Sequence, residues 1–228
     1  MPMRQNIPMG NELREIVIAE IALVVAFALA FSGGIAGAVH NQSAFLSYIP
    51  IAFVAVTLNF VLHEMMHKFT AQRYGAIAGF KTSTVGLALT VVSGMLGTLF
   101  GLPGATYIYV HSFTRKENGI VSLAGPATNI VVFVVFFALL ITLNPPQTSY
   151  LYLVFSFTIS ISLVLAAFNM LPITPLDGSK VLAWNLPLYV VVTGGLLGLL
   201  LLFGFPAIYI LYWIIIALVF SVFYRGLL

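Results

Sequence analysis

The sequence predicts an all-α, polytopic membrane protein with six transmembrane helices and one re-entrant segment. The 228 residues are 61% hydrophobic and only 7% charged, which does not fit a water-soluble fold. Several apolar stretches reach the length of about 17 to 25 residues that a membrane-crossing helix needs. We therefore expect a multi-pass protein of the cell membrane, embedded in the lipid bilayer.

Six apolar stretches are long enough to cross the bilayer as helices. They lie at 16 to 38, 46 to 73, 120 to 143, 150 to 171, 187 to 203 and 206 to 224. Lys and Arg accumulate in cytoplasmic loops. With six spans and an internal N-terminus, all nine Lys and Arg residues lie on the cytoplasmic side. The sequence thus predicts cytoplasmic N- and C-termini.

A seventh apolar stretch, 83 to 102, is predicted to be re-entrant. If it crossed fully, Arg115 and Lys116 would lie outside and basic residues would occur on both sides of the membrane. The stretch contains four glycines and many β-branched residues. Non-helical backbone at membrane depth must be buried in protein or line a cavity. Two forms stay open, a β-like segment and a helical hairpin, because periodicity cannot separate them.

The whole chain, 1 to 228, is predicted to form one integral membrane domain. We expect no soluble accessory domain, because no polar stretch is long enough to fold alone. Charges from Asn11 to Glu20 also disfavour a cleavable signal peptide. The positive charge is small and dispersed, so nucleic acid is not an expected partner. Without cysteine, any metal must be held by His and carboxylate ligands.

The sequence His-Glu-Met-Met-His at 63 to 67 predicts a metal site at the end of the second span. His63 and His67 are four residues apart, so on a helix they share one face and can bind one Zn²⁺ together. Glu64 is then left as a general base, as in metal-dependent hydrolases. Polar residues in a membrane helix also form interhelical hydrogen bonds or proton paths, which is the alternative.

A catalytic zinc needs a third protein ligand. Three of the six acidic residues are N-terminal: Glu12, Glu15 and Glu20. We expect these to form an exposed lead-in to the first helix, and Glu117 to be a solvated loop charge. Asp177 instead follows two prolines at the cytoplasmic end of the fourth span, at the same predicted depth as His67. Asp177 is therefore the candidate third ligand, although Asp-Gly is also common in plain turns.

Three motifs occur in order along the chain: HEMMH, Gly125-Pro126-Ala-Thr-Asn129 and Asn169-x-x-Pro172-x-x-Pro175-x-Asp177-Gly178. Together they resemble the site-2 protease family of intramembrane zinc metalloproteases, peptidase family M50. The resemblance covers a catalytic core of about 46 to 185. The peripheral helices, 16 to 38 and 187 to 224, match by hydrophobicity alone. The chain looks like a compact form that lacks the PDZ or CBS domain of some members.

The resemblance implies one zinc per chain, held by His63, His67 and Asp177, with Glu64 activating water. The expected substrate is a single-pass transmembrane protein, and a re-entrant, β-like segment in the residues around 75 to 113 would offer a strand edge to its unwound chain. Asn169 would help to orient the substrate. It is also our first candidate for stabilising the oxyanion, with Asn129 second. The other residues expected around the site are Pro172, Pro175 and Gly178.

Two asparagines also have a packing interpretation, since a polar residue on a membrane helix can make one interhelical bond. For Asn129 packing and a role at the site are equally open, and for Asn59 packing is favoured. Two other functions stay open for the chain. It could be a metal-ion or proton transporter that uses the His, Glu and Asp cluster, or a catalytically inactive scaffold that binds zinc. The oligomeric state is not predicted.

Overall fold

The structure is a computed structural model, and it describes residues 11 to 99, 103 to 109 and 112 to 206, with Ile208, Leu211, Ile214, Ile215 and Leu218. The predicted last span, 206 to 224, lies largely outside these residues, and so does the C-terminus. The N-terminal ten residues lie outside them as well.

The described residues form α-helices, one π-helical turn and two short strands. In chain order these are α1 Glu12–Phe31, α2 Gly34–His40, α3 Gln42–Val56, the π-helical turn Thr57–Val61, α4 Leu62–Arg73, β1 Ile77–Thr82, α5 Thr84–Met95, β2 Gly104–Tyr109, α6 Arg115–Leu143, α7 Tyr150–Asn169, α8 Asp177–Trp184 and α9 Leu186–Leu202.

Three helices of the described chain are long and apolar enough to cross a membrane. They are Gln42–Arg73, which joins α3, the π-helical turn and α4, together with α6 and α7. The pair α1 and α2 passes the same test jointly but is bent by 74°, which brings the number to four if the pair is one broken span. The apolar helix α9 has 17 residues. Long apolar helices of a membrane protein are thus present, and six crossings stay a prediction.

The stretch predicted to be re-entrant is a helix between two strands. β1 and β2 pair antiparallel, from Ile77 opposite Tyr109 to Thr82 opposite Gly104. Between them Ser83 caps α5, because its Oγ accepts a hydrogen bond from the backbone N–H of Gly86. The mostly helical class therefore gains a two-stranded sheet. Both strands lie within the residues around 75 to 113, and they flank the apolar stretch 83 to 102. That this segment is re-entrant stays a prediction.

The chain divides into two compact units, and the first contains Met1–Phe53 and Ile77–Tyr109. Within it α1 packs closely on α5. A side chain at Gly94 would bring its Cβ within 2.6 Å of the Cα of Ala26, so glycine is what permits this approach.

The first turn of α1 in this unit is bonded to strand β1. The carboxylate of Glu12 accepts a hydrogen bond from the N–H of Phe80 at 2.9 Å, and that of Glu15 accepts one from the N–H of Thr82 at 3.0 Å. The Thr82 hydroxyl also donates to Glu15. Glu12 and Glu15 are half-buried and bonded to the strand, and so are not simply an exposed lead-in, because strand N–H groups that β2 does not use must find other acceptors.

The second unit contains Val54–Ala76 and Val110–Leu228. Its core lies between α6, α7, α8 and α9. The buried core residues are Phe133, Ile159, Leu163, Ala166, Ala167, Met170, Val181, Leu196 and Leu200. Helices α4 and α8 both pack on α6. This arrangement brings the HEMMH helix and the Asp177 helix against the same helix.

Candidate metal centre

The two histidines of HEMMH are buried on one face of α4. His63 is 3% exposed and His67 is 7% exposed. Their Nε2 atoms lie 3.0 Å apart, as the one-turn spacing on a helix allows. Both imidazoles therefore point into the protein interior and converge on one place.

Asp177 lies beside the two Nε2 atoms because the chain breaks between α7 and α8. Helix α7 ends at Asn169, and the prolines Pro172 and Pro175 follow in an irregular turn that ends where α8 begins at Asp177. Its Oδ2 lies 3.1 Å from Nε2 of His67 and 3.6 Å from Nε2 of His63. Among the described residues, these three are the group whose side chains are placed to hold a metal ion.

The tautomers of both histidines follow from their Nδ1 neighbours. Nδ1 of His67 lies 2.8 Å from the carbonyl oxygen of Val121, and Nδ1 of His63 lies 2.6 Å from Oδ1 of Asn129. Both partners are acceptors, so each Nδ1 carries the hydrogen and donates it. The lone pairs of both neutral rings are then on Nε2, the atoms that face each other and Asp177.

The donor set fits a zinc ion. Two Nε2 lone pairs and a carboxylate oxygen at mutual distances of 3.0, 3.1 and 3.6 Å repel one another unless a cation lies between them. With Zn–N and Zn–O bonds of about 2.0 to 2.1 Å, ligand atoms of a tetrahedral site stand roughly 3.3 Å apart. Two imidazoles and one carboxylate also match the ligands of catalytic zinc sites, in which a fourth position stays open.

Gly125 of α6 leaves the space that such an ion needs. A Cβ built at Gly125 would lie 2.5 Å from Nε2 of His63 and in contact with Nε2 of His67. The main chain of α6 thus passes directly over the converging nitrogens. In the sequence Gly125 stands out only as part of the second motif of the resemblance, and nothing in the sequence indicates that this glycine faces the metal ligands.

Asp177 is held as a carboxylate. Without a metal ion, a proton on Nε2 of His67 takes the place of the cation. Burial by itself would raise the pKa of Asp177, but the charge of protonated His67 and side-chain interactions with both histidines outweigh burial and lower that pKa well below its usual range. Its other oxygen, Oδ1, lies 3.9 Å from Nζ of Lys180. Lys180 is not among the residues predicted from the sequence, although its position three residues after Asp177 on α8 is a signal for such a pair.

Gly178, one of the residues expected around the site, lies where two segments of main chain pass close together. Its Cβ would meet the main-chain carbonyl of Met170 and would come within 2.6 Å of the carbonyl oxygen of Leu171. Gly178 is not among the glycines with positive φ. It therefore permits close packing of α8 on the end of α7, next to Asp177.

The other predicted site residues are not part of the group formed by His63, His67 and Asp177. Glu64 is half-buried, and its carboxylate acts electrostatically on His67. Asn169 donates a hydrogen bond from Nδ2 to the carbonyl oxygen of Leu165 in its own helix, at 3.0 Å. Asn59, for which packing was favoured, contacts Asn129 directly, since Nδ2 of Asn129 donates to its Oδ1 at 3.1 Å.

The chain is similar in sequence to proteins that are named as zinc metalloproteases. The chain is 39% identical over 201 residues to a protein of Methanocaldococcus jannaschii named "Putative zinc metalloprotease MJ0611", and the match covers 88% of this chain and 96% of the relative. The chain belongs to this zinc metalloprotease family.

Two further relatives of this metalloprotease family carry matching names. "Putative zinc metalloprotease Rip2" of Mycolicibacterium smegmatis is 30% identical over 174 residues, which are 69% of this chain and 67% of the relative. "Putative zinc metalloprotease YwhC" of Bacillus subtilis is 28% identical over 152 residues, which are 60% of this chain and 69% of the relative. No family model matches the chain. No solved structure matches it significantly.

Proposed function

We propose that this metalloprotease is a site-2 protease-like enzyme that cleaves single-pass transmembrane proteins within the membrane, using one zinc per chain. The observation that carries the proposal is the buried group of His63, His67 and Asp177. Two of these ligands lie on a helix, Gln42–Arg73, that is long and apolar enough to cross a membrane. A hydrolytic site built into such a helix acts on substrates in the same bilayer.

The chemistry divides between the ion and the protein. Zinc in this site supplies a Lewis acid that acidifies water and polarises a peptide carbonyl. His63, His67 and Asp177 hold the ion. Glu64 is not a ligand in this assignment, and it takes the proton of the attacking water and passes it to the leaving nitrogen. The burial of the three ligands keeps bulk water away and strengthens these electrostatic effects.

Asn169 is the favoured candidate for stabilising the oxyanion. Asn129 uses its Nδ2 to donate both to the main-chain oxygen and to Oδ1 of Asn59, at 2.8 and 3.1 Å. An amide nitrogen carries two N–H groups, so those of Asn129 are committed inside the protein. The bond from Asn169 to Leu165 uses only one.

The substrate chain is proposed to add to the outer edge of β2. A transmembrane helix must unwind to expose its amide bonds, and an added strand replaces the hydrogen bonds that it loses. The N–H groups of Phe80 and Thr82 on the outer edge of β1 already donate to α1. Their opposite residues, Thr106 and Gly104, belong to the non-hydrogen-bonded pairs of the ladder. By alternation Ile108 does too. The main-chain groups proposed to bond the substrate are those of Gly104 and Ile108, which point to the side away from β1.

The three relatives do not favour the two alternative functions, because each is named as a zinc metalloprotease. We propose cytoplasmic termini and a place in the cell membrane on the distribution of Lys and Arg. The family resemblance supports release of fragments from membrane-anchored substrates.

The decisive experiment compares cleavage of a panel of single-pass transmembrane segments in liposomes by wild type and Glu64→Gln. A third sample is treated with a chelator and then given zinc again. Cleavage that is lost in Glu64→Gln while zinc remains bound, and that returns with zinc, would support the proposal. Equal cleavage by Glu64→Gln would exclude Glu64 as the base. Zinc binding without cleavage of any segment would favour the scaffold.

A further inference from the structure

A chain of buried polar side chains lies behind His63. Oδ1 of Asn129, on α6, accepts the hydrogen of Nδ1 of His63. Nδ2 of Asn129 donates to Oδ1 of Asn59, in the π-helical turn. Oγ of Ser162, on α7, lies 2.6 Å from the same Oδ1 and 2.7 Å from the carbonyl oxygen of Thr158, so its one hydrogen is shared between these two acceptors. Asn59, Asn129 and Ser162 are each 0% exposed, so water does not compete for these bonds.

The orientation of the Asn59 amide is fixed by two main-chain carbonyls. Its Nδ2 lies 3.0 Å from the oxygen of Ala55 and 3.3 Å from the oxygen of Thr158. A carbonyl oxygen can only accept, so the NH₂ group of Asn59 must be on this side. Oδ1 of Asn59 must then face the opposite way, where it accepts from Ser162 and Asn129.

This orientation is passed on to the metal ligand. Because Oδ1 and the main-chain oxygen of Asn59 are both acceptors, they require the NH₂ group of Asn129. Oδ1 of Asn129 is thereby turned towards His63, where it can only accept. Nδ1 of His63 must carry the hydrogen, which leaves the lone pair on Nε2. In each of these hydrogen bonds the donor and the acceptor are therefore fixed. The order starts from the main-chain carbonyls of Ala55 and Thr158, which cannot exchange donor and acceptor as a side-chain amide can by rotating.

We infer that Asn59 is a positioning residue that sets the metal-binding tautomer of His63 through Asn129. The inference rests on the proposed function only in requiring that His63 binds zinc. Asn59 lies in the turn Thr57–Val61 of the same helix as His63, and π-helical turns occur frequently at functional sites. The turn places the Asn59 side chain between α6 and α7, where it meets both Asn129 and Ser162.

The test measures zinc affinity of the full-length protein in detergent by competition with a chromogenic chelator. Asn129→Leu should lose about 10- to 100-fold in affinity, the usual effect of removing the partner of a metal-ligating histidine. Asn59→Leu should lose a similar amount, although it contacts no ligand. The double variant should bind about as well as Asn129→Leu alone, because both substitutions act through the same hydrogen bond to His63.

Two outcomes would overturn the inference: wild-type affinity in Asn59→Leu, or losses that multiply in the double variant. A polar network can also be needed for folding, so a milder pair is measured alongside. Ser162→Ala removes one donor to Oδ1 of Asn59, whose hydrogen the carbonyl of Thr158 also shares, and should lower affinity by at most about fivefold, the equivalent of one net hydrogen bond.

The matched control for Ser162→Ala is Ser93→Ala. Ser93 is also buried, and its hydroxyl donates to a carbonyl of its own helix, that of Thr90, at 2.8 Å. Ser93→Ala should keep wild-type zinc affinity, and an equal loss in both variants would overturn the inference. No cleavage is measured in these assays, so failure here is distinguishable from failure of the proposed protease activity.

Discussion

The Cα of Gly125 faces Nε2 of His63 so closely that a Cβ there would stand 2.5 Å from the nitrogen. A glycine on α6 and a histidine on α4 thus share the space in which the proposed zinc would bind. Because a protein interior is packed without large voids, the space for the ion exists only if residue 125 has no side chain.

Gly125→Ala should therefore abolish zinc binding. The added methyl group would occupy the ligand face, and main-chain atoms of a packed helix cannot easily withdraw. Zinc content after purification, measured by atomic absorption, checks this prediction. Gly194→Ala is the matched control, because its Cβ meets nothing within 4 Å and alanine favours a helix. Normal zinc content in Gly125→Ala would show that α6 can shift.

Gly178→Ala should destabilise the protein by about 1 to 3 kcal/mol, as overpacking usually does. Its Cβ would press on the carbonyls of Met170 and Leu171, and relief of this contact would move α8 with Asp177. Thermal unfolding with and without zinc measures both effects, and the stabilisation by zinc should shrink. Gly195→Ala, whose Cβ has open space, should leave both values near wild type.

Zinc affinity should fall as the pH is lowered, because bound zinc and a proton compete for Nε2 of His63 and His67. Asp177 should contribute no proton to this competition above about pH 4, since its pKa is lowered from the ordinary value of 3.8. Asp177→Asn should accordingly bind zinc more weakly at every pH but keep the same slope. Chelator competition between pH 5 and 8 measures the slope, and a flatter curve for Asp177→Asn would contradict this assignment.

The free energy of unfolding of the zinc-free protein should fall at acid pH, because the folded protein lowers the pKa of Asp177. The contribution of Asp177 is fully present above its unfolded pKa and is lost as the pH falls through the lower folded value. Urea unfolding of the zinc-free protein should therefore show a greater loss of stability at acid pH for wild type than for Asp177→Asn. Parallel losses in the two proteins would mean that the carboxylate is not held by the histidines.

Ile108→Pro should reduce cleavage of transmembrane segments while leaving zinc content unchanged. Proline removes the N–H that Ile108 presents away from β1, and it spares the ladder bonds to β1. Ile108→Val keeps the N–H and should cleave at nearly the wild-type rate. Unimpaired cleavage by Ile108→Pro would exclude this edge as the place where the substrate adds.

The three candidate ligands could be predicted from the sequence, because two of them depend on local spacing. The four-residue separation of His63 and His67 determines a shared helix face, and few carboxylates were available for the third position. Gly125 and Asn59 could not be predicted in the same way. Their roles depend on which helices pack together, and single-sequence periodicity does not contain that information.

The pairing of β1 with β2 could not be predicted from the pattern of residues either. β1 is a six-residue strand with a glycine and a lysine, and its partner β2 follows only after α5. Hydrophobicity locates α5 within the apolar stretch but cannot reveal that the residues on both sides of it pair. The N–H groups that attract Glu12 and Glu15 exist only once this pairing has formed, so the two glutamates looked like surface charges.

The π-helical turn Thr57–Val61 makes chain length upstream of HEMMH part of the site. A π-helical turn holds one residue more than an α-helical turn and takes up that residue locally, so the α-helix on either side keeps its phase. Deleting a single residue there would restore regular winding and leave both histidines on the side that faces Asn129 and Asp177. Asn59 would lose its place between α6 and α7, because the wide turn is what holds its side chain there. Such a deletion would remove the support behind His63 without changing a ligand, and comparisons of residue types alone would overlook it.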